Sequence, residues 1–139
     1  MHLTTNYIRK LTIYMHLINT TKSYPAVGPY SQAVRVGDAI YFSGVIGIDP
    51  HTGTIAPDTL AQTEQIFANI IAVMGEVGVT LRDVIKTTCF LTDMGDFTSF
   101  NEVYAKHFGD HRPARSTVGV TSLPKGARVE IEMTVHTRT

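Results

Sequence analysis

Apolar residues recur along the chain with two different periods, and the switches between them mark out the elements. Ile66, Phe67, Ile70, Val73, Met74 and Val77 follow helical spacing. Thr59 with Gln62 matches a capping box that would open this helix, and Gly78 is placed to close it in a left-handed conformation. A second helical stripe, Phe97, Phe100, Val103, Tyr104 and Phe108, follows Asp96 as its expected cap and stops at Gly109. Asn101 borders that stripe.

Elsewhere the period is two. Over residues 127–136, Val129, Ile131, Met133 and Val135 share one face, and Arg128, Glu130, Glu132 and Thr134 share the other. Residues 84–92 are rich in β-branched side chains and read as a strand carrying Cys89. Residues 114–120 form another, with Arg115 and Thr117 on one face and Ser116, Val118 and Val120 opposite. Near the start, residues 17–20 form a short strand. Residues 32–36 and 39–43 make a hairpin about Gly37-Asp38. Residues 44–58, with Gly44, Gly47, Pro50, Gly53 and Pro57, read as a loop.

Two helices that each return the chain to a strand, with further strands at both ends, predict an α+β fold: a mixed sheet with two helices packed on one face. The other face stays open and is expected to meet a partner, which points to a homo-oligomer. The 139 residues are one domain's worth. Residues 1–14 read as a poorly ordered extension and 15–139 as the domain.

Composition narrows the function. Lys plus Arg equal Asp plus Glu at 12 each, so no net positive field draws the protein to nucleic acid. A single cysteine excludes an intrachain disulfide, and neither a secretory signal nor a membrane span is visible, so a reducing, cytoplasmic setting is expected. The first acidic residue is Asp38, and the basic, Thr-rich leader before it carries a weak suggestion of organelle targeting. His107 and His111 have i, i+4 spacing, but Gly109 interrupts their helix and no third ligand stands at a recognisable offset, so no metal site is expected. Cys89 reads as core.

Two residues remain as candidates for chemistry. The planar fork of Arg115 matches the two oxygens of a carboxylate, although an ion pair to Glu130 or Glu132 would use the same residue. Glu130 could accept a proton from water if burial or its neighbour Glu132 raised its pKa; an ordinary solvent-facing glutamate is the alternative.

A series of segments, in order, changes this balance. Gly28-Pro29-Tyr30-Ser31-Gln32-Ala33, Tyr41-Phe42-Ser43-Gly44, Lys86-Thr87-Thr88-Cys89-Phe90-Leu91-Thr92-Asp93, Asn101-Glu102-Val103-Tyr104, Pro113-Ala114-Arg115-Ser116-Thr117-Val118 and 123–132, beginning Leu123-Pro124-Lys125-Gly126, follow one another. Over roughly residues 16–136 the chain resembles the RidA (YjgF) family of reactive-intermediate deaminases. The resemblance implies a chorismate-mutase-like α+β fold, a homotrimer with clefts between subunits, and hydrolysis of 2-aminoacrylate or 2-iminopropionate to a 2-oxo acid and ammonia without a cofactor. It implies that Arg115 holds the substrate carboxylate and Glu130 activates water. Tyr30, Ser43, Gly44, Asn101 and Thr117 would line the pocket, Thr117 standing where many members have cysteine. Val45 and Gly47 depart from the Gln-Ile-Pro common after Ser-Gly, and Gly119 from a common glutamate, which leaves the substrate open. A ligand-binding protein without catalysis, or an RNA-cleaving translation inhibitor, are the rival readings.

Overall fold

The structure of the chain, a computed structural model, describes residues 14–137. The expected extension over residues 1–14 therefore lies, except for Tyr14, outside the described residues. Seven strands form one sheet: β1 (Met15–Ile18), β2 (Ala33–Val36), β3 (Ala39–Phe42), β4 (Val45–Ile46), β5 (Val84–Leu91), β6 (Ala114–Gly119) and β7 (Val129–His136), with helices α1 (Thr59–Val77) and α2 (Phe97–Phe108). The strand order is β1-β2-β3-β7-β5-β6, and β4 pairs with β7 on the side where β3 leaves it. The β2–β3 hairpin turns at Gly37-Asp38 as expected, and Gly37 takes a left-handed φ of 59°.

Both β4 and β5 run antiparallel to β7, so they are parallel to each other and need a long crossover, supplied by α1. β5 and β6 are parallel, and α2 is their crossover. Both helices lie on the face presenting Val129, Ile131, Met133 and Val135, all at most 2% exposed. Ile66, Phe67, Ile70 and Val73 of α1 and Phe100 and Phe108 of α2 close over them. Each such side chain contributes about 1.5–3 kcal/mol when fully buried.

Several local expectations are corrected. The first strand starts and ends two residues earlier than the pattern suggested. The stretch 44–58 is not all loop, because β4 lies within it. Thr59 is the first helical residue, not the cap; Asp58 is, its carboxylate accepting the Ala61 N–H at 2.8 Å. The Thr59 hydroxyl instead donates to Asp96 at 2.6 Å, and Asp96, thus engaged, makes no side-chain cap to α2. Gln62 accepts the Arg128 N–H and donates to the Ala56 carbonyl, tying α1 to the entry of β7. Gly78, with φ of 69°, closes α1 as expected.

Gly47 owes its place to space. A Cβ there would lie 2.6 Å from the Cα and the carbonyl oxygen of Gln62, backbone atoms that cannot swing away. Gly47→Ala is therefore expected to destabilise the fold by about 1–3 kcal/mol, seen as a Tm several degrees lower in a thermal melt; an unchanged Tm would contradict this close approach.

Candidate functional site

β6 is an edge strand, and its register with β5 decides where its side chains point. Thr87 pairs with Arg115 and Cys89 with Thr117. Thr87 and Cys89 are wholly buried beneath α2, so Arg115 and Thr117 face the helices. The guanidinium of Arg115 lies over the rings of Phe97, Phe100 and Tyr104, with its carbon 5.6, 5.8 and 4.7 Å from their centroids. Its Nη1 donates to Asn101 Oδ1 at 2.8 Å. The ion pair to Glu130 or Glu132 that the strand pattern allowed is not formed. A rigid, exposed fork bedded on aromatic rings and free of any carboxylate of its own chain among the described residues is a ready anion receptor.

Beside it, the Thr117 hydroxyl is buried against the Cys89 thiol, with no hydrogen bond of standard geometry among the described residues. Beneath it, Thr87 and Tyr104 share a hydrogen bond of 2.7 Å. Burial pushes the Cys89 thiol up to about 11 and holds the Tyr104 phenol above its ordinary value, so both keep their protons at neutral pH.

Glu130 takes the other face of the sheet, because Val129 and Ile131 on either side of it face the core. It is half-buried, and burial first, then the charge of Glu132, raises its pKa above the usual carboxylate value. Gly44 is its seat: a Cβ at that position would fall 1.8 Å from Glu130 Oε1. A cavity of about 460 Å³ opens here, with Tyr30, Ser43, Gly44 and Glu130 in its wall. The Ser43 hydroxyl donates to the Ser31 carbonyl at 2.6 Å, and the Tyr30 phenolic oxygen accepts the Val27 N–H at 3.2 Å.

The seven expected site residues thus fall into two groups. Arg115, Asn101 and Thr117 stand between β6 and α2. Tyr30, Ser43, Gly44 and Glu130 stand on the opposite side, across two strand spacings of roughly 5 Å each. The sequence reading passed over Gln32. Its side-chain oxygen accepts the Thr20 N–H and its amide donates to the carbonyls of Thr20 and Tyr24, holding the segment that carries Tyr30. Its place in the hairpin beside Ser31 was the available signal. Among the described residues no group of three or more His, Cys, Asp or Glu comes together as a metal site. His107 hydrogen-bonds Glu64, and His111 the Val84 carbonyl. No described helix is long and apolar enough to cross a membrane.

Comparison with known proteins decides the family. The sequence profile described as Endoribonuclease L-PSP matches residues 20–137. A mouse 2-iminobutanoate/2-iminopropanoate deaminase is 42% identical over 122 residues, covering 87% of this chain and 90% of its own. The chain belongs to the RidA (YjgF) family. A RutC family protein of Pyrococcus abyssi is 45% identical over 117 residues, 84% of this chain and 92% of that protein. The crystal structure of RidA from an Antarctic Psychrobacter matches with a TM-score of 0.86 at 44% identity, over 88% of this chain and 99% of that one. The mixed sheet with two helices on one face is thus a RidA fold, as the order of segments implied.

Proposed function

We propose that this RidA-family chain is a hydrolytic deaminase of reactive 2-imino and 2-amino-enoic acids, working as a homotrimer whose sites lie between subunits. The observation that carries this reading is the Arg115 guanidinium, held by Asn101 and three rings with no carboxylate of the described residues upon it. The deaminase named among its relatives supplies the substrate class.

Arg115 and Glu130 face opposite sides of the sheet, and a three-carbon acid is too short to touch both in one protomer. The active site on this reading joins Arg115, Asn101 and Thr117 of one subunit to Tyr30, Ser43, Gly44 and Glu130 of the next. The open sheet face, with Leu17 at 65% and Tyr41 at 52% exposure, is the surface available for that assembly.

In the proposed reaction the substrate carboxylate lies across the Arg115 fork. Glu130 removes a proton from water as the oxygen bonds to C2 of the iminium and the C=N π electrons move to nitrogen. Glu130 then returns that proton to the amine of the carbinolamine. The C–N bond breaks as the hydroxyl oxygen closes the carbonyl and its proton departs to solvent, leaving ammonia and a 2-oxo acid. Orientation of the two reactants accounts for much of the gain, and no cofactor or metal takes part in this scheme.

The test generates an imine with a pyridoxal-phosphate-dependent dehydratase and follows its decay with and without the protein. Faster decay is expected, and unchanged decay for every imino acid tried would remove the catalytic claim. Glu130 favours an enzyme over a mere binding protein, since receiving a 2-oxo acid needs no half-buried carboxylate of raised pKa. The balanced charge of the chain favours either over an RNA-cleaving role.

A further inference from the structure

Backbone pairing fixes the Cα of Arg115, but its guanidinium stands at the end of a flexible side chain, and whatever fixes that end decides how well the fork meets a carboxylate. Of the three rings beneath it, Tyr104 lies nearest. Its centroid is 4.7 Å from the guanidinium carbon, against 5.6 Å for Phe97 and 5.8 Å for Phe100. Tyr104 also follows Asn101 at i+3 on α2, so one helical turn supplies both the nearest ring and the oxygen that accepts from Nη1.

The ring is itself tied down. Tyr104 is 9% exposed, and its hydroxyl shares a hydrogen bond of 2.7 Å with that of Thr87, which is wholly buried. Thr87 is the register partner of Arg115 on β5. The stack is therefore held at both ends by one pair of adjacent residues: Arg115 extends from β6 over the ring, and Thr87 beside it on β5 holds the ring's hydroxyl. Phe67, Phe100 and Phe108 pack around the ring, with centroids 6.0, 5.6 and 4.6 Å away. Those contacts would hold a phenylalanine as well. The hydroxyl adds little net stability over phenylalanine, since its hydrogen bond must offset its own desolvation. What it adds is a fixed place for the ring relative to β5 and β6.

We propose that Tyr104 is the positioning residue of the Arg115 clamp, acting through its hydrogen bond to Thr87. This rests on the reading of Arg115 as a carboxylate receptor, so the test reads binding, turnover and the clamp itself on the full-length oligomer.

Tyr104→Phe and Thr87→Val are each expected to weaken binding of pyruvate, a stable 2-oxo acid, by about 3–10-fold, the range that one net hydrogen bond spans. The double variant should lose no more than either alone, because both changes break the same bond. Thr87→Ser, which keeps the hydroxyl, should bind within about twofold of wild type. KM for imine hydrolysis should rise with Kd while kcat stays within about twofold, as when binding common to ground and transition states is lost. A mere packing defect would instead lower the melting temperature and the active fraction, and with it kcat, at unchanged KM. Tyr104→Phe keeps the packed ring and carries the test if Thr87→Val does not fold. The Arg115 Nε–H resonance of the ligand-free protein, identified by its loss in Arg115→Lys, should move in Tyr104→Phe and Thr87→Val and keep its place in Thr87→Ser. Unchanged Kd, an unmoved resonance, additive losses in the double variant or a Thr87→Ser protein as weak as Thr87→Val overturns the proposal. If the wild type binds no 2-oxo acid, the receptor reading falls and the resonance alone decides the role of Tyr104. If binding follows the expected pattern while no imine decays faster than in buffer, the positioning role stands and the deaminase reading falls.

Discussion

Arg115→Lys is expected to lower kcat/KM for imine hydrolysis by roughly 30–200-fold, the cost of losing one charge-assisted hydrogen bond worth about 2–3 kcal/mol. An ammonium carries the same charge but offers no planar pair of parallel donors, so it cannot fix both the position and the tilt of a carboxylate. The bed of Phe97, Phe100 and Tyr104 adds to the difference, since a guanidinium lies flat on rings and keeps its edge free for the ligand. Arg115 is exposed, and among the described residues only Asn101 hydrogen-bonds to its side chain, so the variant's melting temperature should stay close to that of the parent. Imine decay in the coupled assay and a thermal melt make the comparison. Wild-type activity in the lysine variant would remove Arg115 from the site.

Glu130→Gln is expected to remove activity by about 10²–10⁴-fold, the usual worth of a general base, while making the protein more stable at neutral pH. The sign follows from linkage. Burial and Glu132 raise the folded-state pKa above the ordinary 4.5, so between those two values the folded protein holds a proton that the unfolded chain has released. Stability therefore falls as pH rises through that window, and above it the charged Glu130 is a net cost. A neutral amide of the same shape avoids this cost at pH 7 and differs little from the protonated acid near pH 4. Melts at both values should show the variant gaining only at the higher one. The wild-type rate should fall below an acid limb lying above pH 4.5, because only the carboxylate takes a proton from water. A Glu130→Gln protein that retains activity with the same acid limb would assign the base elsewhere.

The helices, the hairpin and the last strand were legible because each carries a sustained period that a buried face imposes. Two kinds of detail were not. Caps depend on which of several neighbouring oxygens reaches the free N–H groups: Asp58 reaches Ala61, which leaves Thr59 and Asp96 to bond each other. A strand as short as β4 has no period to detect and is defined only by its pairing with Ile131 and Glu130. The site shows a related limit. Alternation placed Arg115 and Glu130 correctly within their own strands, but their relation to each other passes through β5, whose Thr87 pairs with Arg115 and whose Phe90 pairs with Glu130. Residues 87 and 90 are an odd number apart, so the two side chains emerge on opposite faces. No feature of either strand alone carries that information.

Cys89 and Thr117 are register partners on adjacent strands, the thiol wholly buried and the hydroxyl next to Arg115. The chain's single sulfhydryl is thus kept protonated inside the core, at a pKa of about 11, and at neutral pH only about one molecule in ten thousand carries the thiolate that peroxides and alkylating agents attack. On the proposed reading the carboxylate clamp contains no oxidisable thiol. Oxidants that inactivate enzymes through an ionised cysteine nucleophile would find the thiol beside this clamp buried and protonated.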